Sequence, residues 1–385
     1  MNTFKKLIGS SHIMKPLLLS LYILFFLISP NTAAGQNDIT LTIVGSVQTP
    51  DDAKGVFVSG NYAYVATDDE GLQVVDISDP ENPEIVGSLE IQNSGRAWLV
   101  HVSDGYAYVV SDLGGTFSLE AIDISDPENP ASSGYFGTQG SPQDLHVSGN
   151  YAYVVWETST FTGPQGGLKI IDISDPENPA KADYTSTGTG AQGVFATGNY
   201  AYVADGGWDG LLIFNVSNPE NPYRISTLDV EDATKVYVSG TYAYVARPGD
   251  LQVIDVSDPQ NPQSIGSVER STGAQGIYVT GSYAYIAAYE NGIDIVKITD
   301  PQNPTLLTTV ATPGKAGDIF VAGSHAYVAD SEGGLQIIDL SGLSTVPDGS
   351  DGSDHTGDGD NADTDSDAEK GVCFVTSSMQ GSLTF

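Results

Sequence analysis

One short phrase recurs seven times along this chain of 385 residues, and it restricts the fold more than any other feature. It reads GNYAYVA at 60–66. It returns as DGYAYVV (104–110), GNYAYVV (149–155), GNYAYVA (198–204), GTYAYVA (240–246), GSYAYIA (281–287) and GSHAYVA (323–329). The second aromatic falls at Tyr64, Tyr108, Tyr153, Tyr202, Tyr244, Tyr285 and Tyr327, spaced 44, 45, 49, 42, 41 and 42 residues apart. Self-similarity at forty-odd residues marks a repeat architecture.

Each repeat holds four short strands, labelled A to D. Strand A is an alternating run such as GVFVS (55–59). Gly60-Asn61 then suits the positive φ angles of a two-residue hairpin turn. Strand B is YAYVA, with its tyrosines on one face and Ala63 and Val65 on the other. Strand C is LQVVDIS (72–78), and strand D, EIVGSLE (84–90), follows a proline corner. No stretch keeps a helical period.

Four strands per forty-odd residues is the size of a propeller blade. The chain ends test this. Repeat seven stops at GLQIIDLSG (334–342) without a corner or a strand D, while the segment ITLTIVGSVQ (39–48) matches a strand D that has no repeat of its own. If that strand completes the last repeat, every blade has four strands and the ring closes. An open stack gives no reason for the permutation and leaves aggregation-prone edges. The expected fold is therefore all-β: a seven-bladed β-propeller over 39–343, closed by its N-terminal strand.

The combination of VVDISDPENPEIVGS with GNYAYVA resembles the LVIVD repeat family of bacterial and archaeal surface proteins, and the likeness covers 39–341. It is especially close to secreted members with interchangeable C-terminal anchors. The resemblance implies a propeller at the cell surface or in the envelope, and it carries no catalytic motif to transfer.

The flanks agree with export. Residues 1–35 read as a secretory signal peptide: Lys5, Lys6 and Lys15, then the apolar run 16–29, then small residues before a cut near Ala34 or Gly35. An uncleaved anchor is the alternative. Lys and Arg number 14 against 49 Asp and Glu, a formal charge of −35. Such a field repels nucleic acid and anionic membrane surfaces. The single cysteine, Cys373, excludes an intramolecular disulfide. Residues 344–370 form an acidic Asp/Gly/Ser linker expected to be disordered. Within it Asp358, Asp360, Asp363 and Asp365 alternate loosely like calcium ligands, but the closing Glu of an EF-hand is missing, and a solvated spacer is the simpler reading. Residues 371–385 are apolar and hold Cys373, a candidate for modification and for membrane or cell-wall attachment.

The corner DPENP appears in six versions, at 79–83, 126–130, 175–179, 218–222, 258–262 and 300–304. Asp79 can form an Asx-turn and Pro80 presets φ, so turn chemistry explains every position. The A–B turns and these corners lie on one face of the disc. The B–C loops lie on the other, and there the copies disagree: TDDEG, SDLGG, WETSTFTGPQGG, DGGWDG, RPGD, AYENG and DSEGG. The candidate ligand-binding residues are Trp98, Trp156, Phe161, Trp208, Arg247, Tyr289 and Glu290 on that face. The alternative is that these loops vary because nothing constrains them.

Catalytic signatures such as HExxH, GxSxG or a phosphate loop are absent from the sequence. His101 and His146 occupy the strand-A place of Phe57, Phe195, Tyr237, Tyr278 and Phe320, and read as packing residues; a metal shared between them is the weaker reading. Asp144 and Asp318 start inner strands near the channel and are candidate cation ligands, for Ca2+ in particular, with solvated channel walls as the alternative. The expected function is a non-catalytic extracellular or cell-surface module that binds protein or glycan. The alternatives are a propeller hydrolase with a channel metal and a structural surface-layer spacer.

Overall fold

The computed structural model describes residues 39, 41–92, 95–160, 163–188, 190–207 and 209–345. Phe161, Trp208, Asp358, Asp360, Asp363, Asp365 and Cys373 lie outside them, as do the leader 1–35 and the tail from 346 onward.

Seven four-stranded antiparallel sheets succeed one another. The first strand, β1 (Thr42–Val47), belongs to the last sheet. Blade one follows as β2 (Ala53–Ser59), β3 (Tyr62–Thr67), β4 (Gly71–Asp76) and β5 (Glu84–Leu89). Blade two is β6 (Arg96–Ser103), β7 (Tyr106–Asp112), β8 (Thr116–Asp123) and β9 (Ala131–Gln139). Blade three is β10 (Ser141–Ser148), β11 (Tyr151–Thr160), β12 (Gly163–Asp172) and β13 (Ala180–Gly188). Blade four is β14 (Ala191–Thr197), β15 (Tyr200–Asp205), β16 (Gly210–Asn215) and β17 (Tyr223–Leu228). Blade five is β18 (Lys235–Ser239), β19 (Tyr242–Arg247), β20 (Asp250–Asp255) and β21 (Gln263–Glu269). Blade six is β22 (Gly276–Thr280), β23 (Tyr283–Ala287), β24 (Ile293–Lys297) and β25 (Thr305–Val310). Blade seven is β26 (Asp318–Ala322), β27 (His325–Ala329) and β28 (Leu335–Asp339), completed by β1 through Thr42↔Asp339 to Val47↔Leu335. The innermost strands contact one another in a closed circle, β26 against β2 included. This is the expected seven-bladed propeller, and no α-helix occurs among the described residues.

The repeated phrase is apolar on both faces because each blade is covered on both sides. Tyr64, Leu72 and Val74 of blade one pack with Val100, Val102 and Val109 of blade two. The pattern repeats around the disc until Tyr327, Leu335 and Ile337 meet Val56, Val58 and Val65. Burying a Val, Leu or Ile side chain stabilises by about 1.5–3 kcal/mol. Seven such interblade layers form the core without any disulfide.

At the A–B turn Gly60 has φ 60°, while Asn61 stays negative, so the turn places positive φ at its first residue only. Blade two differs, with Asp104 at 50° and Gly105 at 83°.

The proline corner does more than turn. Glu81 N–H donates to Asp79 Oδ1 (3.1 Å) and Asn82 Nδ2 to Asp79 Oδ2 (3.0 Å), the expected Asx-turn. In addition, the corner docks on the preceding blade. A Cβ at Gly45, Gly87, Gly134 or Gly266 would lie 1.9–2.3 Å from the carbonyl oxygen of Pro80, Pro127, Pro176 or Pro301. Blade four has Ser226 there, and its Oγ donates to Pro259 O (2.6 Å). Each of these glycines, and Ser226, directly follows a one-residue bulge in the outer strand. The glycine of EIVGS is thus the seat for the next blade's corner.

Candidate functional site

A circle of aromatic rings lines the channel. Strand-A residues opposite the buried tyrosines point inward, one per blade. Their ring centroids run Phe57–His101 4.4 Å, His101–His146 5.2 Å, His146–Phe195 4.2 Å and Phe195–Tyr237 4.5 Å. The circle closes with Tyr237–Tyr278 5.3 Å, Tyr278–Phe320 4.6 Å and Phe320–Phe57 4.5 Å. These spacings lie in or just below the usual range for aromatic pairs. His101 and His146 are therefore members of a seven-ring collar, as their sequence place implies.

Burial lowers the His146 pKa to about 4, and burial together with the neighbouring His146 holds His101 well below its ordinary value. Both are neutral near pH 7. His146 Nδ1 accepts the Ala196 N–H (3.3 Å). His101 Nδ1 is buried without a hydrogen-bond partner.

Above the collar, on the B–C loop face, remains a cup of about 260 Å3. Its wall includes the inner-strand residues two places before the ring, Leu99, Asp144, Lys235, Gly276 and Asp318; the equivalent places in blades one and four are Gly55 and Gly193. Large residues stand beside glycines because neighbouring strands approach closely. A Cβ at Gly193 would lie 2.8 Å from Lys235 Cα, and one at Gly276 would lie 2.6 Å from Asp318 Oδ1.

An innermost strand leaves one backbone edge unpaired, and the carboxylates serve that edge. Val194 N–H donates to Asp144 Oδ2 (2.9 Å), and Val56 N–H donates to Asp318 Oδ2 (3.0 Å). In both cases the aspartate of one blade holds the strand of the next. Lys235 Nζ pairs with Asp144 Oδ1 at 3.2 Å and donates to Gln143 O (3.3 Å). Asp318 also accepts the Ile319 N–H (2.9 Å). Burial raises its pKa to about 6, against the opposing pull of these N–H groups and of Lys235.

Asp144 and Asp318 thus share one cup, but Lys235 already supplies a positive charge there. Among the described residues no group of three or more His, Cys, Asp or Glu is arranged to hold a metal ion.

The loop candidates are spread around the rim, and Trp98, Arg247, Tyr289 and Glu290 do not line the cup. Trp98 is 41% exposed, with Lys54 Nζ 5.9 Å from its ring. Arg247 Nη1 reaches Asp250 Oδ2 (3.4 Å) across its own tight turn. Tyr289 has φ 55° and is 40% exposed, with Lys315 Nζ 5.2 Å from its ring. Its backbone pairs with Ala316 of the next loop, and Glu290 beside it is exposed.

Residues 156–167, read as a loop, instead extend a β-hairpin: β11 and β12 pair from Trp156↔Gly167 out to Thr160↔Gly163. Trp156 sits at the base of this hairpin in a cleft on the flank of the disc, away from the loop tips.

Sequence reasoning missed a series of polar residues in the middle of strand C: Gln73, Glu120, Lys169, Gln252, Asp294 and Gln336, with Leu212 in blade four. Three of them anchor the chain entering their blade. Glu120 Oε2 accepts the Gln92 N–H (3.0 Å), Asp294 accepts the Ser271 N–H (3.0 Å), and Lys169 donates to Gln139 O. Asp294 also pairs with the buried Arg270 at 3.6 Å. A charged residue inside an otherwise apolar strand was the available signal.

The family model described as the LVIVD repeat matches seven times, at 50–90, 94–138, 139–185, 188–229, 231–270, 272–312 and 313–346. The last match is short, as expected for a blade that borrows β1. A search of curated protein sequences returned no match.

Similar solved structures include the WD40 beta propeller domain of Doa1, at TM-score 0.59 and 10% identity, covering 78% of this chain and 97% of that one. BamB from Moraxella catarrhalis has TM-score 0.53 and 12% identity, covering 78% of this chain and all of that one. A functionally unknown protein from Desulfotomaculum acetoxidans has TM-score 0.57 and 15% identity, covering 76% and 90%. At these identities the likeness is one of fold.

Proposed function

The chain belongs to the LVIVD repeat family, and from that premise we propose that it is a non-catalytic binding module, exported from the cytoplasm, that engages a protein or glycan with its B–C loop face. The observation that carries this reading is the division of labour between the two faces. The corner face is consumed in docking blade to blade, through the proline carbonyls on Gly45, Gly87, Gly134 and Gly266. The opposite face carries a cup of about 260 Å3 and the exposed side chains of Trp98 and Tyr289. Aromatic residues at a rim around a shallow depression are what an interaction surface presents.

The chemistry of the cup favours binding over hydrolysis. Asp144 and Asp318 each hold a backbone N–H of the neighbouring strand, and Asp144 is ion-paired. Neither stands free as a base. Export is supported by the leader-like composition of residues 1–35 and by the strongly acidic surface.

The test is display of the folded protein on glycan and extracellular-protein arrays, wild type beside a Trp98→Ala/Tyr289→Ala double variant. A specific hit lost in the double variant is expected. Retention of the hit, or an array without any hit while the protein assembles into sheets, would replace this reading with the structural-spacer one.

A further inference from the structure

A second concave site lies on the flank of the disc, between the outer strand of blade two and strands β11 to β13 of blade three. Its volume is about 440 Å3, larger than the channel cup and within the range of small-molecule sites. Phe136, Thr138 and Gln139 form one wall; Trp156, Thr158, Gln165, Lys169, Lys181 and Tyr184 form the other.

The cleft is built around a lysine that has no acidic partner. Lys169 Nζ lies 4.0 Å from the Trp156 ring centroid and 4.6 Å from that of Phe117. The Trp156 ring in turn requires Gly140 beneath it, since a Cβ there would stand 2.3 Å from Trp156 Cε3. One ammonium proton goes to Gln139 O. Among the described residues Lys169 forms no ion pair with Asp or Glu, although the chain carries 49 of them. Lys181, at the cleft edge, pairs with Asp183 at 3.7 Å.

A partly buried ammonium has three donors and gains most from a charge-assisted acceptor. Lys181 adds a second positive charge at the cleft edge. Tyr184, 55% exposed, offers a ring face beside it, with Lys181 Nζ 4.9 Å from the centroid. Thr138, Thr158, Gln139 and Gln165 add hydroxyl and amide groups. A carboxylate for Lys169, hydroxyls for the threonines and glutamines and a ring face against Tyr184 together describe an acidic sugar.

We propose that this flank cleft binds a carboxylated sugar unit, of the uronic acid type, with its carboxylate on Lys169 and Lys181 and its ring against Tyr184. The site goes beyond the loop-face reading and uses different residues. The negative charge of the rest of the protein opposes long polyanions, so a short acidic glycan is the fitting ligand.

Binding also has a pH signature. Burial, with Lys181 nearby, lowers the Lys169 pKa to about 8. The other titratable groups lining the cleft are Lys181 and Tyr184 on β13; the blade-two wall of Phe136, Thr138 and Gln139 contributes none. Lys169 therefore loses its charge as pH rises from 7 to 9, and affinity for an anion falls with it.

The experiment is calorimetric titration of the full chain with trigalacturonate, with maltotriose as a neutral control and with an Asp/Glu tripeptide. Trigalacturonate is expected to bind at least about tenfold more tightly than maltotriose, the difference of one charge-assisted contact. Lys169→Met should remove that preference, Tyr184→Ala should weaken binding about tenfold, and affinity should fall between pH 7 and 9. Tyr184 is exposed, so its variant reports on the cleft even if Lys169→Met fails to fold. Absence of binding, equal affinity for the neutral sugar, or affinity unchanged by Tyr184→Ala and by pH would overturn the proposal. Tighter binding of the acidic tripeptide would overturn the sugar assignment. Because Trp98 and Tyr289 are untouched, the loop-face reading stands or falls separately.

Discussion

Replacing His146 by Phe should make the protein resistant to acid. The collar accepts Phe at the equivalent place in blades one, four and seven, as Phe57, Phe195 and Phe320. At pH 7 the exchange loses the acceptor of the Ala196 N–H, a cost of about 1–2 kcal/mol that the added apolar ring partly offsets. The pH dependence is the sharper signal. Burial depresses the folded pKa of His146 to about 4 from 6.5, so the folded state resists the proton that the unfolded chain accepts. Wild-type stability from the neutral ring is complete above pH 6.5 and is lost as pH falls toward 4. Linkage puts the loss at about 2 kcal/mol at pH 5 and about 3 kcal/mol at pH 4. The Phe variant does not incur it.

Asp318 titrates the other way: with its pKa raised to about 6, protonation on acidification favours the folded state. That contribution is common to both proteins and cancels in the difference. His101 acts in the same direction as His146, because removing its neighbour eases the depression of its own pKa. Urea unfolding of both proteins at pH 7, 6, 5 and 4 gives the difference directly. A difference that stays flat within about 0.5 kcal/mol, or that moves against the variant, would refute the reasoning that the collar is dry and neutral.

Two further perturbations test the frame around the sites. Gly87→Ala places a methyl 2.2 Å from Pro127 O and should lower stability by about 1–3 kcal/mol, read from the midpoint of thermal or urea unfolding. Arg270→Met leaves Asp294 buried without its cation and should destabilise by about 3–5 kcal/mol, while Arg270→Met/Asp294→Leu should recover most of that loss.

The ring closure was legible in the sequence because it rests on local periodicity and on one displaced strand. Ile43 and Val47 pair with Ile338 and Leu335 as the match of ITLTIVGSVQ to strand D requires. The place of His101 and His146 was equally legible, since alternation fixes which side chains face inward. That seven rings touch in a circle was not, because contact depends on the radius set by seven packed blades. Residues 156–167 misled for a physical reason: Thr, Gly and Pro there look like loop chemistry, yet the backbone of β11 and β12 keeps pairing as far as Thr160↔Gly163. The flank cleft was invisible for the same reason as the collar. Phe136 and Tyr184 are far apart in sequence terms and meet only because β9 of one blade faces β13 of the next.

Seven copies within one chain meet the same geometric demands, so agreement among them marks what the geometry dictates. The corner sequence agrees because five of the six proline carbonyls seat on a glycine or serine of the preceding blade; blade three carries Asp183 at that place. Blade seven supports this from the other side. It has no corner, and the outer-strand position of blade six that would receive one is Thr308, next to its bulge at Leu307, where no glycine is needed. By the same logic the middle of strand C is a position where the ring demands only that the group be satisfied, and the copies fill it with Gln, Glu, Asp, Leu or Lys. Gln73, Glu120, Asp294 and Gln336 find backbone, hydroxyl or ion-pair partners inside the protein. Lys169 differs in kind: it is the one cation in the series, and it is placed where the longest hairpin of the disc opens a cleft beside it.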